Sequence, residues 1–125
     1  MAWGQPSARR SQMPTPAETF DCVLIDDDEL VRLMWGVAAE GAGKRLLALC
    51  RGGDFWSRSA QLSTSIPIYI DYNLQTQPSG DELARQLAAA GFTNLYFQTG
   101  CDAKSISLEL RPWIRGVLGK EPPWL

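Results

Sequence analysis

From residue 20 onward the chain alternates short apolar runs with stretches whose apolar residues recur at helical spacing. Phe20–Ile25 is the first run, and it stops at Asp26, Asp27 and Asp28. Leu30, Leu33, Met34, Val37 and Ala38 then recur at i, i+3, i+4, i+7 and i+8. That is the stripe of an amphipathic helix, and such a stripe is expected to face the core. Gly41 and Gly43 end it. Arg45–Cys50 is a second run, and residues 53–62 offer Phe55, Trp56 and Leu62 to a weak helix. Ile66–Ile70 is the third run, with Pro67 near its start, where a strand tolerates proline. Ser79-Gly80-Asp81-Glu82 matches the S-x-x-E capping box. Leu83, Leu87 and Ala90 share one face of the helix it opens, and Gly91 closes that helix. Asn94–Gln98 is the fourth run, residues 102–110 read as a short helix broken before Pro112, and Ile114–Leu118 is the last run.

Strands alternating with helices over short connections imply βαβ units, a parallel sheet and helices on both faces. Near-continuous apolar strands such as IPIYI suit a sheet covered on both sides. The expected fold is therefore α/β, a three-layer α/β/α arrangement of the flavodoxin-like kind. Its five parallel strands are read in the order 2-1-3-4-5 if the arrangement is the flavodoxin-like one. After the last strand only Glu121-Pro-Pro-Trp-Leu125 remains, too short and proline-rich for a helix, so the fifth helix is expected to be missing or vestigial. Trp124 is then expected to cover apolar surface that this helix leaves open. Residues 1–19 carry Pro6, Pro14 and Pro16 among Ser, Gln and Thr without periodicity, and read as a disordered arm or linker before a domain over 20–125.

Charge and composition narrow the chemistry. Lys+Arg is 12 and Asp+Glu is 14, so the net charge of -2 supplies no basic surplus for nucleic acid or a polybasic membrane anchor. There is no histidine, which excludes Ser-His-Asp and Cys-His nucleophilic sites, histidine-ligated zinc and a phosphohistidine donor. The three cysteines, Cys22, Cys50 and Cys101, are odd in number and far apart, which fits a reduced, cytoplasmic chain better than a disulfide scaffold or a zinc site. Cys101 reads as an inert thiol near the end of the fourth strand. Acid–base or metal chemistry must run on carboxylates, with Lys, Tyr or Cys in support.

In an open parallel sheet, ligands bind at the carboxyl ends of the strands, beside the switch in strand order. Asp26, Asp27 and Asp28 end the first strand; Asp71, Tyr72 and Asn73 end the third. Thr99 and Gly100 end the fourth, and Lys120 follows the fifth. With the first and third strands adjacent, their aspartates converge. Crowded carboxylates raise each other's pKa, and a divalent cation relieves that conflict. Oxygen-only ligands favour a hard ion, and Mg²⁺ takes one or two carboxylates, keeps waters and completes its shell with phosphate oxygens. A lysine and a threonine hydroxyl across the site suit phosphoryl oxygens. The set reads as a Mg²⁺-dependent phosphoryl site with one aspartate as nucleophile.

LIDDDELVR, YIDYNL, FQTG and LGKEPP stand in this order at four strand ends. With them the chain resembles the receiver domains of two-component response regulators, over roughly residues 20–122. The resemblance implies that Asp71 accepts a phosphoryl group from a phosphohistidine. The donor would be a sensor histidine kinase or a histidine phosphotransfer protein. It implies Asp27 as a direct Mg²⁺ ligand, Asp26 as an acid acting through a metal-bound water, and Asn73 as the residue lending its backbone carbonyl. Thr99 and Lys120 match the residues that engage the phosphoryl oxygens. Asp28 is left as a helix-start residue.

Three departures stand out. Leu74-Gln75-Thr76-Gln77-Pro78 replaces the Met-Pro common after the acceptor, Val117 stands where a Tyr or Phe is common, and the final helix is absent. The first two motivate an alternative, a degenerate receiver that binds a partner without phosphorylation. A haloacid-dehalogenase-type phosphohydrolase, reading Asp26-Asp27-Asp28 as D-x-D, meets Leu30 where that family shows threonine.

Overall fold

The computed structural model describes residues 19–100 and 103–125. The linker read over residues 1–19 lies outside this range apart from Thr19, and so does Cys101. Five strands form one sheet: β1 (Cys22–Ile25), β2 (Leu46–Leu49), β3 (Ile68–Asp71), β4 (Leu95–Gln98) and β5 (Ile114–Leu118). All are parallel, in the order β2-β1-β3-β4-β5, as expected. Three helices accompany them: α1 (Glu29–Gly41), α2 (Gly52–Trp56) and α3 (Gly80–Ala89). Short 3₁₀ turns lie at Ser59–Gln61 and Ala103–Ser105.

Side chains alternate across the strands, so each strand feeds both layers. Val23, Ile25, Ile68, Ile70, Leu95 and Phe97 point to one face, where they meet Phe55 of α2 and Leu83, Ala84 and Leu87 of α3. Cys22, Leu24 and Tyr69 point to the other, where Trp35 of α1 is fully buried among them. Trp35 lies 5.2 Å from Tyr69 and 5.5 Å from Trp124, the latter edge-on. Trp124 thus occupies the face where no helix follows β5 among the described residues.

The helix starts follow the local signals. Asp28 caps α1 by accepting from the Leu30 N–H at 2.9 Å, and Ser79 caps α3 by accepting from the Glu82 N–H at 3.2 Å. Gly91, at φ 102°, supplies the left-handed turn after α3.

Two expectations fail. The stripe of α1 does not face the core: Leu30, Leu33 and Val37 are 73%, 61% and 64% exposed, and Met34 is also exposed. Trp35 and Ala39 point inward instead. Periodicity locates a stripe without saying which side it faces, and the indole of Trp35 offers more area to bury than any aliphatic on that stripe. The helix read over 102–110 is, over its described residues 103–110, a 3₁₀ turn at Ala103–Ser105 followed by irregular chain. Only Ile106 of its apolar residues is buried, while Leu108 and Leu110 are exposed. Serines 105 and 107 sit where they compete with helical backbone bonds, and Arg111 Nη1 donates to the Ser107 carbonyl at 2.7 Å. The weak helix over 53–62 is realised as α2 plus the Ser59–Gln61 turn.

Candidate phosphoacceptor site

Register brings the acids together. Ile25 of β1 pairs with Ile70 of β3, so Asp26 and Asp71 follow side by side at the carboxyl edge of the sheet. Asp27 joins them: ligand oxygens of Asp26, Asp27 and Asp71 all lie within 4.8 Å of one another. Asp28 is outside the cluster, its carboxylate engaged as the α1 cap. This removes the second acid of the D-x-D reading. Asp26 and Asp71 are buried, and Asp27 is half-buried.

Lys120, beyond β5, crosses over the acids. Its Nζ is 2.9 Å from Asp26 Oδ2 and 3.1 Å from Asp71 Oδ1. Trp35 Nε1 donates to the Lys120 carbonyl at 2.7 Å and ties this loop to α1. Burial pulls the Lys120 pKa down, but hydrogen bonds and charge from Asp26 and Asp71 outweigh it and hold the ammonium above its ordinary value. Asp71 moves the other way from most ion-paired carboxylates. Burial and the Asp26 charge raise its pKa against the opposing pull of Lys120 and the Asn73 N–H. A second positive charge at the site would relieve that.

Thr99 is buried and Asn73 is exposed, and Asn73 Nδ2 donates to Thr99 Oγ1 at 3.4 Å. The Asn73 N–H donates to Asp71 Oδ1 at 3.0 Å, and its carbonyl accepts from Gln75 Nε2 at 2.9 Å. All the residues singled out from the sequence, Asp26, Asp27, Asp71, Asn73, Thr99 and Lys120, therefore gather at one edge of the sheet. The donor set fits a hard divalent cation: three carboxylates and a carbonyl offer only oxygen, and one lysine leaves the acids in excess. A cavity of about 530 Å³ lined by Phe92, Trp113 and Arg115 lies toward the opposite ends of β4 and β5 and contains none of these acids.

Sequence reasoning passed over two residues here. Gln98 is fully buried and donates through Nε2 to Asp26 Oδ2 at 2.5 Å. A polar residue in an otherwise apolar buried strand, one position before Thr99, was the available signal. The capping box accounts for Gly80 only as a helix-start position. A Cβ there would overlap the Asp71 carbonyl oxygen, so the start of α3 approaches the end of β3 as closely as backbone allows.

No family model matches the sequence, and no curated protein matches it. Solved structures do. The response regulator StyR superposes with a TM-score of 0.64 at 19% identity, over 79% of this chain and 50% of that one. This chain thus spans half the length of StyR. A CheY-like receiver domain from Methylobacillus flagellatus gives 0.64 at 19% identity, over 82% and 85% of the two chains. CheY4 of Vibrio cholerae, a chemotaxis response regulator, gives 0.58 at 23% identity, over 82% and 88%. With its strand order and its acids at the carboxyl edge of the sheet, the chain has the fold of the CheY-like response-regulator receiver domains.

Proposed function

We propose that the chain is a phosphoacceptor receiver domain over residues 20–125, in a cytoplasmic two-component phosphorelay, with residues 1–19 as a linker. The observation that carries this reading is the meeting of Asp26, Asp27 and Asp71 from two strand ends under the Lys120 ammonium from a third. Asp27, Asp71 and the Asn73 carbonyl would hold Mg²⁺ directly, with Asp26 acting through water. The cation, when bound, neutralises charge on the acids and on the incoming phosphoryl oxygens.

An Asp71 carboxylate oxygen forms the new bond to phosphorus. The P–N bond of the partner's phosphohistidine breaks, and its electron pair leaves with the imidazole nitrogen. Lys120 Nζ, 3.1 Å from Asp71 Oδ1, would transfer its hydrogen bond to a phosphoryl oxygen, and the Thr99 hydroxyl would donate to another. The exposed stripe Leu30, Leu33, Met34 and Val37 starts two residues past Asp28, on the helix that follows the acids of β1. An exposed apolar face on that helix favours a helical partner such as a histidine kinase or histidine phosphotransfer protein. No helix among the described residues is long and apolar enough to cross a membrane.

The test is to incubate the protein with Mg²⁺ and acetyl phosphate and weigh it intact. One phosphoryl group is expected on the native chain and none on Asp71→Asn; an unchanged mass for the native chain defeats the reading. A partner-binding module without phosphorylation is the second reading. It is favoured by the engagement of the Asn73 carbonyl by Gln75 and of both buried acids by Lys120. Under it, titration with Mg²⁺ releases no binding heat.

A further inference from the structure

Gln98 ends β4 and is the register partner of Asp71 on β3. Its side chain passes that strand and reaches β1's acid, with Nε2 2.5 Å from Asp26 Oδ2. Oxygen in that position would face carboxylate oxygen, so the amide orientation follows from chemistry. The Asp26 carboxylate is then held on three sides. Gln98 Nε2 and Lys120 Nζ both donate to Oδ2, and the Asp28 N–H donates to Oδ1 at 2.9 Å. A carboxylate has about four acceptor positions. With these donors from the described residues, one position is left, on Oδ1. The other end of the Gln98 amide is unusual too: Oε1 is buried and has no partner among the described residues. Buried amide oxygens are nearly always satisfied, and where protein supplies no donor, ordered water does.

We propose that Gln98 is a positioning residue of the acid cluster. Its Nε2 locks the Asp26 rotamer so that the remaining Oδ1 acceptor is presented to the hydrated cation. The assignment rests on the phosphoacceptor reading, and nothing in an apolar strand otherwise calls for a buried amide there. Removing Nε2 frees Asp26 to follow Lys120, with one fewer fixed direction toward the cation.

In metal-free, ¹⁵N-labelled protein, the Gln98 side-chain amide signal is identified by its loss in Gln98→Met, a variant of similar volume without the donor. This signal is expected to shift in Asp26→Asn and again when Mg²⁺ is added to the native chain. Calorimetric titration is expected to show about tenfold weaker Mg²⁺ binding by Gln98→Met, the usual scale for losing a group that orients a ligand. Its phosphorylation by acetyl phosphate recovers at raised Mg²⁺, whereas that of Lys120→Ala does not. Equal or tighter Mg²⁺ binding by Gln98→Met overturns the assignment while the phosphoacceptor reading stands. So does an amide signal indifferent to Asp26→Asn; if Gln98→Met does not fold, the signal is assigned instead by through-bond correlation to the Gln98 backbone in the native chain. Native protein that takes up no Mg²⁺ defeats the phosphoacceptor reading and the role given to Gln98 with it. The Asp26→Asn response, which needs no metal, keeps the two failures apart.

Discussion

Asp71 is a buried carboxyl whose proton the fold favours. Burial comes first, Lys120 opposes it, and Asp26 reinforces it. A folded pKa raised above the unfolded one means that the native state binds the proton more tightly. The stabilising effect is therefore full below the unfolded value, about 3.9 for aspartate, and is lost as pH rises through the folded value. At neutral pH the metal-free protein carries this residue as a liability. Asp71→Asn, which removes the charge and keeps the shape, is expected to raise the thermal midpoint of the metal-free protein at pH 7. The gain should shrink toward nothing as the pH is lowered through the carboxyl range. A series of melts followed by circular dichroism, run in chelator, checks both the direction and the pH dependence. A gain that persists unchanged at low pH would place its origin elsewhere than in titration.

Helix α1 carries two apolar faces with different duties. Trp35 and Ala39 secure it to the sheet, and Leu30, Leu33, Met34 and Val37 lie in solvent on the helix that follows the acids of β1. Exposed residues with no packing role move stability little, so Leu33→Glu with Val37→Glu is expected to change the unfolding free energy by less than about 0.5 kcal/mol per site. Phosphorylation by acetyl phosphate should be unaffected. Transfer from a phosphohistidine-bearing partner should fall, because burying a glutamate in an apolar interface costs far more than leaving it in water. Parallel measurements of urea unfolding, small-donor uptake and phosphotransfer separate the three effects. Equal loss with both donors would show that the stripe serves the fold or the site instead of a partner.

Across the whole molecule, the α1 face of the sheet is closed by a ring cluster. Trp124 meets Trp35 edge-on at 5.5 Å, and Trp35 in turn lies on Tyr69 and holds the Lys120 carbonyl. The chain segment beyond β5 thus does part of the work a helix would do there, and connects the core to the loop carrying the site's ammonium. Trp124→Ala is expected to lower stability by about 1–2 kcal/mol, from lost area and an aromatic pair worth about 0.5–1.5 kcal/mol. The midpoint of urea unfolding should drop with its slope unchanged. A midpoint equal to that of the native chain would mean that Trp124 adds nothing to the closed face.

What the amino-acid order determined by itself was local and periodic. Apolar runs, the Asp28 and Ser79 starts and the closing glycine at Gly91 marked most of the elements, because caps and turns are chosen within a few residues of chain. The acids after β1 and β3, with Thr99 and Lys120, were legible because a parallel sheet puts its strand ends on one edge. The tertiary structure decided what depends on distant partners. It turned the α1 stripe outward, since only packing against Tyr69 and Trp124 made Trp35 the inward residue. It left 103–110 without an α-helix, where one buried isoleucine could not hold one. It bent a buried glutamine across β3 to Asp26, a hydrogen bond spanning 72 residues of sequence that no spacing rule reaches.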